Sequence, residues 1–290
     1  MALIQLLVTG DTEQRALVEA LSAALPQTRD GDRVIWAPAM QMREPARKPL
    51  QPYRGTPAAG MVKVAQKMLE ALGSKTYLGQ RPDLVLAIGD VELHNMNKET
   101  LLVTHLRAAL QREATQHTPA TVGLLRARCA YHLLRPMVEA SFFGDAATLG
   151  RAGVAPAHQN PPLRARDVEE FETVDQNPDW RSFCAARNAI HTTEPWWRQE
   201  RHPPSYLHHL TRREGGPPYR KLEGGVNALR SLPWVDVIDT EPSPYLRALF
   251  DDLAAWFGTP SPLRPALTPA PLAPTHPDAT APADRLLRNL

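Results

Sequence analysis

Cysteine is nearly absent from this chain: Cys129 and Cys184 are the only two among 290 residues. Two are too few for a disulfide framework, and both stand beside apolar neighbours as small core residues do. A reducing cytoplasm is the compartment this predicts. An excess of charge of either sign is also missing, because 33 basic residues face 31 acidic ones for a formal net charge of +2. No global field therefore draws the chain to nucleic acid, and any such contact has to be local. No uninterrupted apolar stretch approaches the roughly 20 residues that span a bilayer. The leading Met-Ala-Leu-Ile-Gln-Leu-Leu-Val has neither the basic start nor the small-residue cleavage site of a signal peptide, so a soluble protein without a membrane partner is expected. Gly-x-x-x-x-Gly-Lys-Ser/Thr does not occur, which excludes a P-loop ATPase. Gly-x-Ser-x-Gly and His-Glu-x-x-His are missing as well, and with them the common hydrolase and zinc-protease signatures.

Apolar residues make up 43% of the chain, enough at this length to bury a substantial core. Residues 2–8 are an apolar run, followed by a turn and then by Leu17, Leu21 and Leu25 at helical spacing, which reads as strand, turn, helix. Asp11 is placed to cap that helix with Gln14 in the capping-box position, and Pro26 closes it. Residues 32–37 suggest a second strand, 38–57 a Pro-rich basic surface loop, 61–73 an amphipathic helix ending at Gly73, 82–92 a buried strand and 98–113 another helix. Strands alternating with helices predict βαβ crossovers and an α/β fold with a parallel sheet. Beyond about residue 120 the segments shorten. A strand over 120–129, a helix over 132–143 with Pro136 near its first turn, short helices at 206–210 and 225–232, and a longer one opened by Ser243-Pro244 and closed by Gly258 are expected. This gives an α/β domain over 1–125, a mostly helical extension over 126–258 packed on it, and a Pro-rich flexible tail over 259–290.

The strand over 82–92 ends in Asp90 and Glu92, one residue apart. Alternation along a strand points both the same way, and two such carboxylates at the carboxyl end of a parallel strand can share a divalent cation. The plain alternative is an ordinary pair of loop acids. Glu139 stands in an apolar stretch, where a carboxylate is costly unless paired or metal-bound, so it either faces Asp90 or pairs with Arg135. His94 lies beside the acidic pair. His191, His202, His208 and His209 lack the paired spacing of structural zinc sites. Arg43, Arg47, Lys48 and Arg54 form one basic group. Arg198, Arg201, Arg212, Arg213, Arg220 and Lys221 form another, interleaved with Trp196, Trp197, Tyr206 and Tyr219. The second group reads either as a surface that tracks a phosphate backbone and stacks bases or as a solvated face over packed aromatics.

Val8-Thr9-Gly10-Asp11-Thr12-Glu13 and Gly89-Asp90-Val91-Glu92 resemble the two motifs of a Toprim domain, the metal-binding α/β module of topoisomerases, primases and overcoming-lysogenization-defect nucleases. In that family the first strand ends in Glu-Gly and a later one in Asp-x-Asp; here Thr9 stands where the general acid/base Glu is usual. Four further stretches are similar to Toprim-like bacterial proteins often found near ATPases in defence gene clusters. They are residues 132–145, 167–171, 202–207 and 219–229 together with Asp251-Asp252-Leu253, and Pro204 replaces a lysine usual in the third. The resemblance implies a Toprim-like parallel sheet flanked by helices and a Mg²⁺- or Mn²⁺-dependent nuclease-type subunit acting on phosphodiesters in anti-phage defence. Nucleic acid and an ATPase are its implied partners. Asp90 and Glu92 would be catalytic and hold the metal, with Glu139 or Glu13 completing the shell; Glu13 would stand in as the catalytic acid/base or is simply an acid that the dipole favours at a helix N-terminus. The alternative, which Thr9 makes concrete, is a catalytically inactive binding or assembly subunit of a multi-protein defence complex.

Overall fold

The structure, a computed structural model, describes residues 1–42, 49–73, 77–191, 197–238 and 242–263. The Pro-rich tail beyond residue 263, together with Arg43, Arg47, Lys48 and Trp196, lies outside these.

Six strands form the sheet: β1 (Ala2–Val8), β2 (Thr28–Arg29), β3 (Asp32–Trp36), β4 (Met40–Gln41), β5 (Leu84–Asp90) and β6 (Cys129–Leu134). Their order is β2-β3-β1-β5-β6, with β4 also on β1, and every pairing is parallel except the short β2–β3 hairpin. The α helices are α1 (Asp11–Ala24), α2 (Ala59–Gly73), α3 (Glu99–Ala114), α4 (Pro119–Arg128), α5 (Ala146–Arg151), α6 (Pro178–Asn188), α7 (Pro203–Arg212), α8 (Val226–Arg230), α9 (Trp234–Val237) and α10 (Pro244–Phe257). The architecture is the expected α/β one, and no described helix is long and apolar enough to cross a membrane.

The period-2 geometry of the strands splits their side chains between two cores. Leu7, Val85, Ala87, Tyr131 and Leu133 face α2, α3 and α4. Ile4, Leu6, Val8, Leu84, Leu86, Ile88 and Leu134 face α1 and the extension, where Phe142, Trp180, Tyr206, Trp234 and Phe250 are buried. The extension thus supplies the second layer that a parallel sheet requires.

Two expected elements differ. Residues 119–128 are helical rather than extended, because Thr118 accepts a bond from the Thr121 amide and Pro119 sits in the first turn, which together start a helix. The expected helix over 132–143 is instead the end of β6, a cis Arg135–Pro136 peptide bond and a 3-10 helix over Val138–Gly144. The run 129–134 has every residue buried, so β6, although it is the last strand of the sheet, is covered on both faces.

Residues 167–171 hold α10 in place. Asp167 accepts from the Ser243 amide at 3.2 Å and from its hydroxyl at 2.7 Å, and Glu169 accepts from the Tyr245 and Leu246 amides at 3.1 and 2.7 Å. Ser243 is therefore not a side-chain cap itself. Burial pushes the Glu169 carboxyl up to about 8, against the pull of those amides. Further along α10, Asp252 meets His132 of β6 at 3.3 Å with both side chains 1% exposed. Asp167→Ala leaves the buried Ser243 amide and hydroxyl without these acceptors and should cost about 1–3 kcal/mol in urea unfolding; an unchanged midpoint would show that α10 is held by packing alone.

Candidate functional site

The carboxyl ends of β1, β5 and β6 lie side by side, with Val8 paired to Ile88 and Asp90 to Leu134. This is the edge at which open parallel sheets bind ligands. Past Val8, Thr9 and Gly10 lead into α1, whose first turn carries Glu13 at 4% exposure. A Cβ at Gly10 would lie 2.3 Å from a Glu13 carboxylate oxygen, so glycine there allows the carboxylate to fold back over the helix start. Its own amide bonds it there, and the helix dipole favours negative charge at that end. The expected capping box does not form: Gly10 is the cap position without a side-chain bond, and Asp11 accepts from Gln41 Nε2 at 2.9 Å instead.

Asp90 ends β5 and accepts from the Val138 amide at 3.1 Å, tying the strand to the 3-10 helix that bears Glu139. Gly89 lets the Tyr131 hydroxyl come close, since a Cβ would sit 3.2 Å from it and 3.5 Å from the Thr9 methyl. Glu92 does not follow by simple alternation. The strand stops at Asp90, and Glu92 has φ of +62°, a sparsely populated backbone state for a side chain of this kind. Such residues cost on the order of 1–3 kcal/mol and persist where their surroundings over-determine them.

Glu139 is 1% exposed and its Oε1 forms an ion pair with Lys221 Nζ at 2.9 Å; its Oε2 meets neither that ammonium nor any hydrogen-bond partner among the described residues, and Oε1 has no partner beyond the ion pair. The Arg135 pairing considered from sequence is not formed, because Arg135 binds Glu99 at 2.9 Å and also Glu170 and Asn97. Lys221 opens a single π turn, Lys221–Gly225. Its carbonyl accepts from Thr12 Oγ1 at 3.3 Å, which seats the turn on the start of α1. Glycines permit this seat: a Cβ at Gly224 would be 2.6 Å from the Ala152 carbonyl oxygen, and one at Gly225 would be 2.5 Å from the Tyr219 hydroxyl.

The electrostatics join these residues into one cluster. Burial, with Glu139 adding to it, pushes Glu13 up to about 7 against the pull of Lys221. Burial and the charges of Glu13, Glu92 and Glu139 hold Asp90 well above the usual carboxylate range. Glu92 is raised by burial and by Glu139, with Lys221 opposing. Burial alone would lower Lys221, yet Glu139, Asp90 and Glu13 raise it. Tyr131 is raised by burial and Asp90, and Tyr219 by burial, Glu139 and Glu13. His202 is pushed down to about 4, chiefly by burial. Its Nδ1 accepts from the Ser205 amide at 3.1 Å, which makes the ring the cap of α7. Trp197 stacks with His94 at 4.4 Å and packs against His191 at 4.5 Å.

All four acids expected from sequence are thus coupled at one place. Among the described residues, however, no three His, Cys, Asp or Glu side chains are already spaced to hold a metal ion. The second basic group is mostly engaged within the fold: Arg201 pairs with Glu172 at 3.0 Å, Arg213 with Asp175, Arg220 with Glu223 at 3.0 Å, and Lys221 with Glu139. Arg198 and Arg212 are exposed. Sequence reasoning missed Tyr131, Tyr219 and His202 as neighbours of the acids, and placed Lys221 on a nucleic-acid surface rather than against Glu139. The one available signal was Gly224-Gly225 three residues after Lys221, a pair that permits close backbone approach. No known family matches the chain, and no curated protein or solved structure is found similar to it.

The raised Glu13 carboxyl has a consequence for stability. A folded-state value of about 7 against an ordinary 4.5 means the folded chain holds that proton more tightly, so the contribution is full below pH 4.5 and is lost as pH rises through 7. Relative to Glu13→Gln, wild type should lose up to roughly 3 kcal/mol between pH 5 and 8 in denaturant melts. Parallel stability curves for the two proteins would mean that Glu13 titrates like a free carboxylate.

Proposed function

We propose that this chain is a Mg²⁺- or Mn²⁺-dependent, Toprim-like nuclease-type subunit that acts on phosphodiesters. The observation that carries the reading is the convergence of Glu13, Asp90, Glu92 and Glu139 at the carboxyl edge of a parallel sheet, facing Lys221. The donor chemistry fits such a cation: every acid offers hard oxygen, and Glu139 keeps a buried oxygen without a hydrogen-bond partner among the described residues. Asp90, Glu92 and Glu139 would hold the ion, which supplies neutralisation of phosphate charge and an acidified water. Glu13, pushed up to about 7, is poised to take or return a proton near neutral pH, the task for which Thr9 has no group. Arg198 and Arg212, both exposed, are the basic side chains most available to a phosphate backbone.

The defence setting and the ATPase partner rest on the sequence resemblance alone. A cytoplasmic location is supported by two buried, unpaired cysteines, Cys129 and Cys184.

A second reading, an inactive assembly subunit that keeps the fold without the chemistry, is favoured by two observations. Thr9 replaces the usual acid, and Glu139 is already neutralised by Lys221. Incubation of plasmid and single-stranded DNA with Mn²⁺, wild type and Asp90→Ala separates the two. Cleavage by wild type that falls at least about 100-fold in Asp90→Ala, the scale of losing a group that stabilises a transition state, supports the enzyme. Equal cleavage by both points to a contaminant, and none by wild type leaves the assembly role.

A further inference from the structure

We propose that Lys221 is a built-in counter-cation that competes with a divalent ion for the acidic cluster, so that loading the site requires its ammonium to leave Glu139. The inference rests on the divalent-cation reading above and deepens it into a regulation of that site.

Three observations carry it. First, Lys221 Nζ is 2.9 Å from Glu139 and its charge also acts on Glu13, Asp90 and Glu92, so one ammonium touches one of the three acids that would hold the metal and acts through space on the other two. Two cations cannot both neutralise Glu139 without repelling each other. Second, the Glu139 oxygen that Lys221 does not meet is buried and has no hydrogen-bond partner among the described residues, so the ammonium answers this carboxylate only in part. Third, the two ends of the pair differ in freedom. Glu139 is 1% exposed on a short helix bonded to Asp90, whereas the Lys221 side chain is 58% exposed and rides on a single π turn. Such turns recur at functional sites, and a lysine is a compact charge on a flexible four-carbon stem that can withdraw into water without opening the core. An arginine fork bonded by both arms would not be released as readily.

The test uses the full chain and Mn²⁺ alone as the probe. Titration calorimetry on wild type and Lys221→Gln should show Mn²⁺ bound roughly tenfold more tightly by the variant, because a competing unit charge a few ångströms from the ion is gone. Lys67→Gln, which removes a surface lysine paired with Glu70, should bind as wild type does. A second measurement needs no variant: acetylation of Lys221, followed by mass spectrometry, should speed up several-fold when Mn²⁺ is added. Equal or weaker Mn²⁺ binding by Lys221→Gln, or labelling unmoved by Mn²⁺, overturns the proposal. The two readings fail differently. Wild type binding Mn²⁺ as well as the variant leaves a metal site without a competing lysine. Mn²⁺ bound by neither protein overturns the divalent-cation reading itself, whereas binding by the variant alone supports a lysine that holds the metal's place.

Discussion

Negative charge gathered where water is scarce is the constraint around which this fold is arranged. Four carboxylates, Glu13, Asp90 with Glu92, and Glu139, come from three separate segments and meet at the ends of adjacent parallel strands. Desolvation penalises each charged form and the acids penalise one another, so the cluster persists only if protons or cations answer it. Lys221 gives part of that answer from a point more than two hundred residues beyond Glu13. The chain reaches it through details that serve little else: Gly10 under the Glu13 carboxylate, Gly224 against the Ala152 carbonyl, and the Thr12 hydroxyl bonded to the Lys221 carbonyl. A packed parallel sheet has no structural need for this crowding, and the positive φ of Glu92 adds backbone strain to its cost.

Much of the first half was legible in the sequence because its signals are local. The apolar runs of β1 and β5, the periodicity of α2 and α3, and the glycine after α10 each follow from a short window of residues. Asp90 and Glu92 were legible for the same reason, standing at the end of a buried strand. The rest depends on partners distant in sequence. Residues 129–143 are mostly apolar with no clear break in period, and only the two cores on either side of β6 make the first part a strand. Asp167 and Glu169 look like any acidic loop until Ser243, Tyr245 and Leu246 arrive beside them. Lys221 reads as one more basic residue in a basic stretch, since its partner lies 82 positions earlier.

Several stretches that carry the family resemblance turn out to serve the architecture. The Asp-Val-Glu-Glu-Phe stretch secures the start of α10, Asp252 faces His132 inside the core, and His202 caps α7. That assignment narrows the candidate chemistry to the sheet edge. It also sharpens the question that Thr9 raises. With a hydroxyl at the end of β1, proton transfer falls to Glu13 or to no residue at all, and the same four acids then serve either a metal centre or a charge-neutralised joint between sheet and extension.

The most direct measurement is an anomalous difference map from crystals of the full chain soaked in Mn²⁺. The account predicts a peak bounded by Asp90, Glu92 and Glu139, with the Lys221 ammonium withdrawn from its 2.9 Å contact. An intact Lys221–Glu139 pair with no peak at the carboxyl edge of the sheet, at saturating Mn²⁺, would contradict it.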